Sequence, residues 1–202
     1  MRTALISTLM LVLSVPVLMS FSYAGNVTAT AASPTKVVAS QTTASSILAD
    51  IKQATWIRDG KSKHVIYVFT DPNCPYCNKV FNLLRPAVER GEVELRWIPI
   101  GKIMASSIGK AAAMIEDKNP TEALYRNESG FSQETGSFGG ILEEPVPRDD
   151  TLRLLEANHA LLKRSGHDAI PTLIFRTKDG KAEIVRGAPP AVTLEKLIKN
   201  LA

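Results

Sequence analysis

Within the stretch VIYVFTDPNCPYCNKVF, Val65 to Phe81, Cys74 and Cys77 stand two residues apart, separated by Pro75 and Tyr76. They are the only two cysteines in a chain of 202 residues. Such a pair can exchange between dithiol and disulfide, supply half of a tetrahedral metal site, or form a structural crosslink. A bridge from Cys74 to Cys77 closes almost no loop and so constrains the unfolded chain little, which makes the crosslink the weakest of the three. The three histidines, His64, His159 and His167, are scattered and offer no second close-spaced ligand pair, so no metal ligand set is assigned.

What the sulfurs can do depends on the elements that hold them. KHVIYVFT reads as a buried strand, Asp71-Pro72-Asn73 breaks it, and CPYCNKVFNLLRPAVERG reads as a helix with a kink near Pro86 and a stop at Gly91. Cys74 then lies at the first turn, where unpaired N–H groups and the positive end of the helix dipole stabilise a thiolate. Pro75 suits an early helical position, having no N–H to lose. Cys77, one turn on and more buried, is the resolving thiol, and Cys74 attacks or is attacked. Farther along, Ala169-Ile170-Pro171-Thr172 precedes an apolar strand, where a proline cannot donate to a sheet. The Ile170-Pro171 peptide is therefore expected to be cis, leaving the Ile170 backbone free to pair with an extended substrate chain beside the cysteines. A plain strand-entry proline is the alternative. Pro75, Tyr76, Ile170, Pro171 and Thr172 are the candidate substrate contacts.

The remaining elements follow from periodicity. Residues 25–44 are rich in Ala, Thr and Ser and read as a flexible linker. Ile47, Leu48, Ile51 and Ala54 recur at helical spacing, which predicts a short linker helix over residues 45–60. VELRWIPIG is a second strand. The middle, about 105–165, is mostly helical, with SIGKAAAMIEDKNP ending before Pro120, an irregular loop in ESGFSQETGSFGGILEEPVP, and a helix in DDTLRLLEANHALLKRSG. IPTLIFRT, the turn KDGK and AEIVRG predict a hairpin, and TLEKLIKNLA a closing helix. Strand, helix, strand, helical insert, antiparallel hairpin, helix is the order of a thioredoxin fold. The expectation is an α/β thioredoxin domain over residues 61–202 with an inserted helical subdomain, preceded by the linker helix.

The N-terminus, with Arg2, an apolar run from Ala4 to about Met19 and Ser22-Tyr23-Ala24, has the layout of a secretory signal cleaved after Ala24. Pro16 and the short run argue against a spanning helix, although an uncleaved anchor is the alternative. No cysteine lies near the cleavage site, which argues against a lipid anchor. Loss of Arg2 with the leader would leave 23 basic and 20 acidic residues, a net charge of +3. That mild charge, without a basic run, gives no case for nucleic acid or an anionic membrane surface as partner. Export would place the chain in a compartment where disulfides persist.

The strand leading into DPNCPYC, the segments GKAAAMIEDKNP and LEANHALLKRSG, and the proline before the last hairpin resemble the DsbC/DsbG family of periplasmic thiol-disulfide interchange proteins, more its DsbG branch. The resemblance spans roughly residues 45–202. It implies Cys74 as nucleophile, Cys77 as resolving thiol, Pro171 as cis-proline, protein thiols and disulfides as substrates, a membrane electron-transfer partner of the Dsb type, and no cofactor. The family dimerises through an N-terminal domain, and residues 25–44 are too short for one. A monomer is therefore expected, with a reductase or interchange role favoured over isomerase or chaperone activity of the DsbG type. A metal-binding or chaperone module of the same fold is the rival from another class. The family's usual threonine before the cis-proline is replaced by Ile170, which removes a hydroxyl from beside the Cys74 sulfur. Thioredoxin and DsbA carry a buried acid six residues before the first cysteine. Here that position is Val68, leaving Lys79, His64 or solvent as the expected proton partner of Cys77.

Overall fold

The computed structural model describes residues 35–202, with side chains from residue 43 onward. The expected secretory signal and the first part of the expected linker lie outside the described residues. Helix α1 spans Thr35–Asp50 and runs into a 3-10 turn at Ile51–Gln53. There follow β1 (Ile57–Asp59), β2 (Val65–Thr70), α2 (Pro75–Glu89), β3 (Glu94–Pro99), α3 (Ser107–Glu116), α4 (Pro120–Ser129) and α5 (Asp149–Lys163). The chain closes with β4 (Thr172–Arg176), β5 (Ala182–Arg186) and α6 (Ala191–Lys199).

The five strands form one sheet in the order β1-β3-β2-β4-β5. Only β2 and β3 are parallel, joined by α2, and the other neighbours are antiparallel. Alternation along the strands feeds two cores. Ile66 and Val68 of β2, Leu95 and Trp97 of β3, and Leu173 and Phe175 of β4 face α2 and α6, where Val80, Phe81, Leu84, Leu194 and Leu197 complete one core. Phe69, Ile98 and Ile174 belong to a second core with Ile47, Ile51, Leu161 and Leu162. α1 is therefore the cover of one sheet face, packed on β4 and β5, rather than a linker leading into the domain.

Three boundaries differ from the sequence reading. The first helix begins at Thr35 rather than Ser45 and gives way by Gln53, so part of the expected flexible linker is helical. Its expected last turn is instead β1, three residues long and too short to leave a periodic signal, paired with β3 from Ile57↔Trp97 to Asp59↔Leu95. α3 ends at Glu116, before Pro120 as expected, but Pro120 also opens a helix that the sequence reading did not separate, α4, with the Asn119 side chain accepting from the Glu122 N–H at 3.3 Å. Through Pro86, α2 continues to Glu89. Pro86 offers no N–H to the Asn82 carbonyl, and both residues lie on the exposed side of the helix.

Candidate active site

β2 ends at Thr70 and delivers the chain into Asp71-Pro72-Asn73, all buried, before α2 begins. Cys74 is the N-cap of α2 in extended conformation, and its sulfur accepts from the Cys77 N–H at 3.3 Å. The Cys74 carbonyl takes the N–H groups of Cys77 and Asn78 at 3.0 and 3.1 Å, the first bonds of the helix. Both cysteines are free thiols, 2% and 1% exposed, while Tyr76 between them is 64% exposed.

This geometry splits the two thiols. A hydrogen bond from the Cys77 thiol, together with the N–H groups of Cys77 and Tyr76, draws the Cys74 pKa below 9.0 against its burial and the nearby Asp71 charge. Burial pushes Cys77 well above 9.0, and the hydrogen bond and charge of Cys74 add to the rise. The buried Thr70 hydroxyl acts on Cys77 in the opposite sense and has no other partner among the described residues.

The Ile170-Pro171 peptide is cis. β2 and β4 pair with Phe69 opposite Thr172, so continuing the register sets Pro171 level with Thr70, at the end of the strand that leads to the cysteines. Ile170 is partly exposed, whereas Thr172 is buried and its hydroxyl donates to the Ala169 carbonyl at 2.7 Å. Thr172 thus holds the loop from within at the start of β4. The Pro171 carbonyl is taken by the Gly187 N–H at 2.7 Å.

Of the candidate proton partners, His64 sits before β2, roughly 20 Å from its cysteine end by strand rise, and its Nδ1 meets the Ala202 carbonyl at 2.5 Å. Lys79 is exposed on α2. Val68 is fully buried between Leu173 and Trp97. His159 pairs with Asp168 at 2.8 Å and His167 is exposed, so neither joins the cysteines in a ligand set.

Several polar groups around the cysteines were not legible as site residues. The fully buried Asp71 carboxylate accepts from Asn73 N, Ser107 Oγ, Lys102 N and Ile103 N at 2.7–3.1 Å, tying the loop before Cys74 to the start of the helical insert. The Lys102 ammonium reaches Asp168 Oδ2 at 2.8 Å, linking that loop to the segment before Pro171. Lys110 donates to Asn73 Oδ1 at 2.9 Å and Phe138 O at 2.7 Å, and burial lowers its pKa. Asn127 Nδ2 donates to Pro72 O at 3.0 Å. Gly139 permits this approach: a Cβ there would lie 2.4 Å from Asn127 Oδ1 and 2.7 Å from Pro72 O, and its φ is +81°. One signal pointed to α4: Ala123, Leu124, Asn127 and Glu128 form a single buried stripe, with an amide and an acid where apolar residues are the rule.

The family model described as a thioredoxin-like domain matches residues 51–202. The chain is 31% identical over 150 residues to the thiol:disulfide interchange protein DsbG of Pseudomonas aeruginosa, and 30% identical over 155 residues to that of Escherichia coli. These matches take in 73% and 74% of this chain but only 57% and 59% of the relatives' own length. Among solved structures, the catalytic domain of Proteus mirabilis ScsC superposes with a TM-score of 0.58 at 22% identity, covering 79% of this chain and 96% of that one. The thiol-disulfide exchange protein alpha-DsbA2 of Wolbachia pipientis gives 0.61 at 15%, covering 83% and 98%. At those identities the likeness is one of fold.

Proposed function

The chain belongs to the thioredoxin-like family, and on that premise we propose that it is an exported, periplasmic thiol-disulfide oxidoreductase acting on protein substrates through Cys74 and Cys77. The observation that carries the reading is the placement of the pair beside the cis proline: Cys74 caps α2 with its sulfur accepting from the Cys77 N–H at 3.3 Å, Cys77 is buried inside the helix, and Pro171 stands level with Thr70 at the strand end that leads to them. The Cys74 thiolate attacks a substrate disulfide, forming a mixed disulfide and releasing one substrate thiolate. Cys77, once deprotonated, attacks the Cys74 sulfur, releases the second substrate thiolate and leaves the Cys74–Cys77 disulfide, so the couple is oxidised as the substrate is reduced. The reverse sequence donates the disulfide.

Polypeptide substrates fit the surface. Tyr76 in the motif and Ile103, Met104, Ile108, Phe138 and Leu142 in the helical insert are large apolar side chains left exposed. The cysteines open α2 and Pro171 precedes β4 in the same chain, and we take the protein to work as a monomer, recharged by a membrane partner of the Dsb type. Among the described residues no group of three or more His, Cys, Asp or Glu is arranged for a metal ion, and no helix is long and apolar enough to cross a membrane.

The test is equilibration of the full chain in glutathione buffers with alkylation of the remaining thiols. Cooperative oxidation of Cys74 and Cys77, abolished by Cys74→Ser, is expected. Thiols that stay unoxidised across the range, or exchange surviving in Cys74→Ser, would overturn the reading. A midpoint toward the oxidising end assigns disulfide donation or shuffling, and one toward the reducing end assigns a reductase.

A further inference from the structure

Glu128 is a buried acid that the exchange chemistry does not use. It is 5% exposed, and its carboxylate is gripped by two side-chain amides. Asn78 Nδ2 donates to Glu128 Oε2 at 2.9 Å and to the Glu128 backbone carbonyl at 2.7 Å. Asn127 Nδ2 donates to Glu128 Oε1 at 3.2 Å and to Pro72 O at 3.0 Å. Both hydrogens of each amide are thereby used, and both carboxylate oxygens accept. Asn78 directly follows Cys77 and its N–H bonds the Cys74 carbonyl, while Pro72 lies two residues before Cys74.

We propose that Glu128 is a positioning residue for the cysteine pair: through Asn78 and Asn127 it clamps the chain on both sides of Cys74-Pro75-Tyr76-Cys77, and protonation of its carboxylate loosens one arm of that clamp. The inference rests on the reading of Cys74 and Cys77 as an exchange couple.

The ionised acid accepts strongly on both oxygens; protonation places a hydrogen on one of them, which makes that oxygen a weaker acceptor and sets its O–H in competition with the amide N–H aimed at it. Burial opposes the ionised form and the two amide hydrogen bonds only partly offset it, so Glu128 titrates at about 7 rather than near 4.5. The other charged or titratable groups nearby leave it to the amides. Arg85 and Glu89 of α2 and Tyr125 of α4 line the same surface depression, where Arg85 is met by Asp59 at 2.8 Å and by Glu89 at 3.8 Å. Lys110 of α3 is committed to Asn73 Oδ1 and to the Phe138 carbonyl. Among the described residues, none of these hydrogen-bonds the Glu128 carboxylate.

The experiment has two arms. In the full chain carrying Cys74→Ser and Cys77→Ser, which removes both thiol titrations, the backbone amide shifts of Asn73 and Asn78 are followed by NMR from about pH 5.5 to 8.5, a range set by the titration near 7. An inflection near 7 is expected, lost when Glu128→Gln is added and kept with Glu128→Asp. In the reduced chain with both cysteines, the iodoacetamide rate at Cys74, divided by its thiolate fraction, is expected to change about three- to tenfold across that range, the worth of one net hydrogen bond, and to stay flat in Glu128→Gln. Absence of the amide inflection, or its persistence in Glu128→Gln, overturns the proposal. So does an identical Cys74 rate profile in the two proteins, since Glu128 would then be a structural tie alone. Alkylation reads Cys74 without any partner disulfide, so failure of the redox reading shows separately in the glutathione equilibrium.

Discussion

Between Cys74 and Cys77 the chain passes from a helix cap into a helix interior, and that single turn separates two thiols that are alike when free. The proposed order of events, Cys74 first and Cys77 second, rests on that asymmetry. Cys77→Ser is expected to stop the reaction at the mixed disulfide, so incubation with a disulfide-bonded protein should yield a covalent adduct at Cys74, seen by mass spectrometry and released by reductant. Glu128 affects stability as well as geometry. Its folded pKa of about 7 stands above 4.5, so folding holds a proton between those values. The stability this contributes is fully present below about pH 4.5 and is lost as pH rises through 7. The gap amounts to roughly 3 kcal/mol. Urea unfolding of the native chain should therefore lose that much relative to Glu128→Gln between about pH 4.5 and 8, and parallel pH profiles would contradict it. Cys74, Cys77 and Pro171 are legible from sequence because each signal lies within a few adjacent residues. Asp71, Asn127 and Glu128 are not, because beyond their immediate neighbours they find partners 31 to 55 positions away, and separations of that kind are set by the fold.

Among the elements, the strands and the long helices follow their periodicity, and the failures are where two signals compete. α3 does stop short of Pro120, but a proline also starts helices, and the start of α4 at Pro120 shows only once Asn119 is seen capping it. β1 has three residues and owes its place to a side chain rather than to propensity. Asp59, fully buried, accepts from Arg85 Nη1 at 2.8 Å, from Tyr125 Oη at 2.5 Å and from Trp97 Nε1 at 3.2 Å, so one carboxylate joins β1 to α2, α4 and β3. Burial and the Asp59 charge push Tyr125 up to about 12, which keeps it a donor in this cluster. Asp59→Ala would leave the Arg85 guanidinium half-buried and unmatched on this side. A loss of roughly 3 kcal/mol in urea unfolding is expected, the usual cost of breaking one side of a buried pair. A change under about 1 kcal/mol, the worth of an exposed pair, would show that the cluster is a surface decoration.

For the whole molecule, the sheet has two faces and needs both covered. α2 and α6 close one, and α1 with α5 closes the other, so residues read from sequence as a lead-in are part of the core. Ile47 is 1% exposed among Ile51, Phe69, Ile98 and Ile174. Ile47→Ala is expected to cost roughly 2–5 kcal/mol, as for other buried large-to-small changes, in urea unfolding at constant pH. A cost below about 0.5 kcal/mol, typical of surface positions, would return α1 to the status of a tether. The same layering decides what an optical experiment can see. Trp97 is 1% exposed, lies 5.7 Å from Phe81 and donates to Asp59, and Trp56 lies under the guanidinium of Arg96. Both indoles therefore watch the β1–β3 edge of the sheet. Intrinsic emission therefore reports on the packing of that edge, and its loss marks unfolding there.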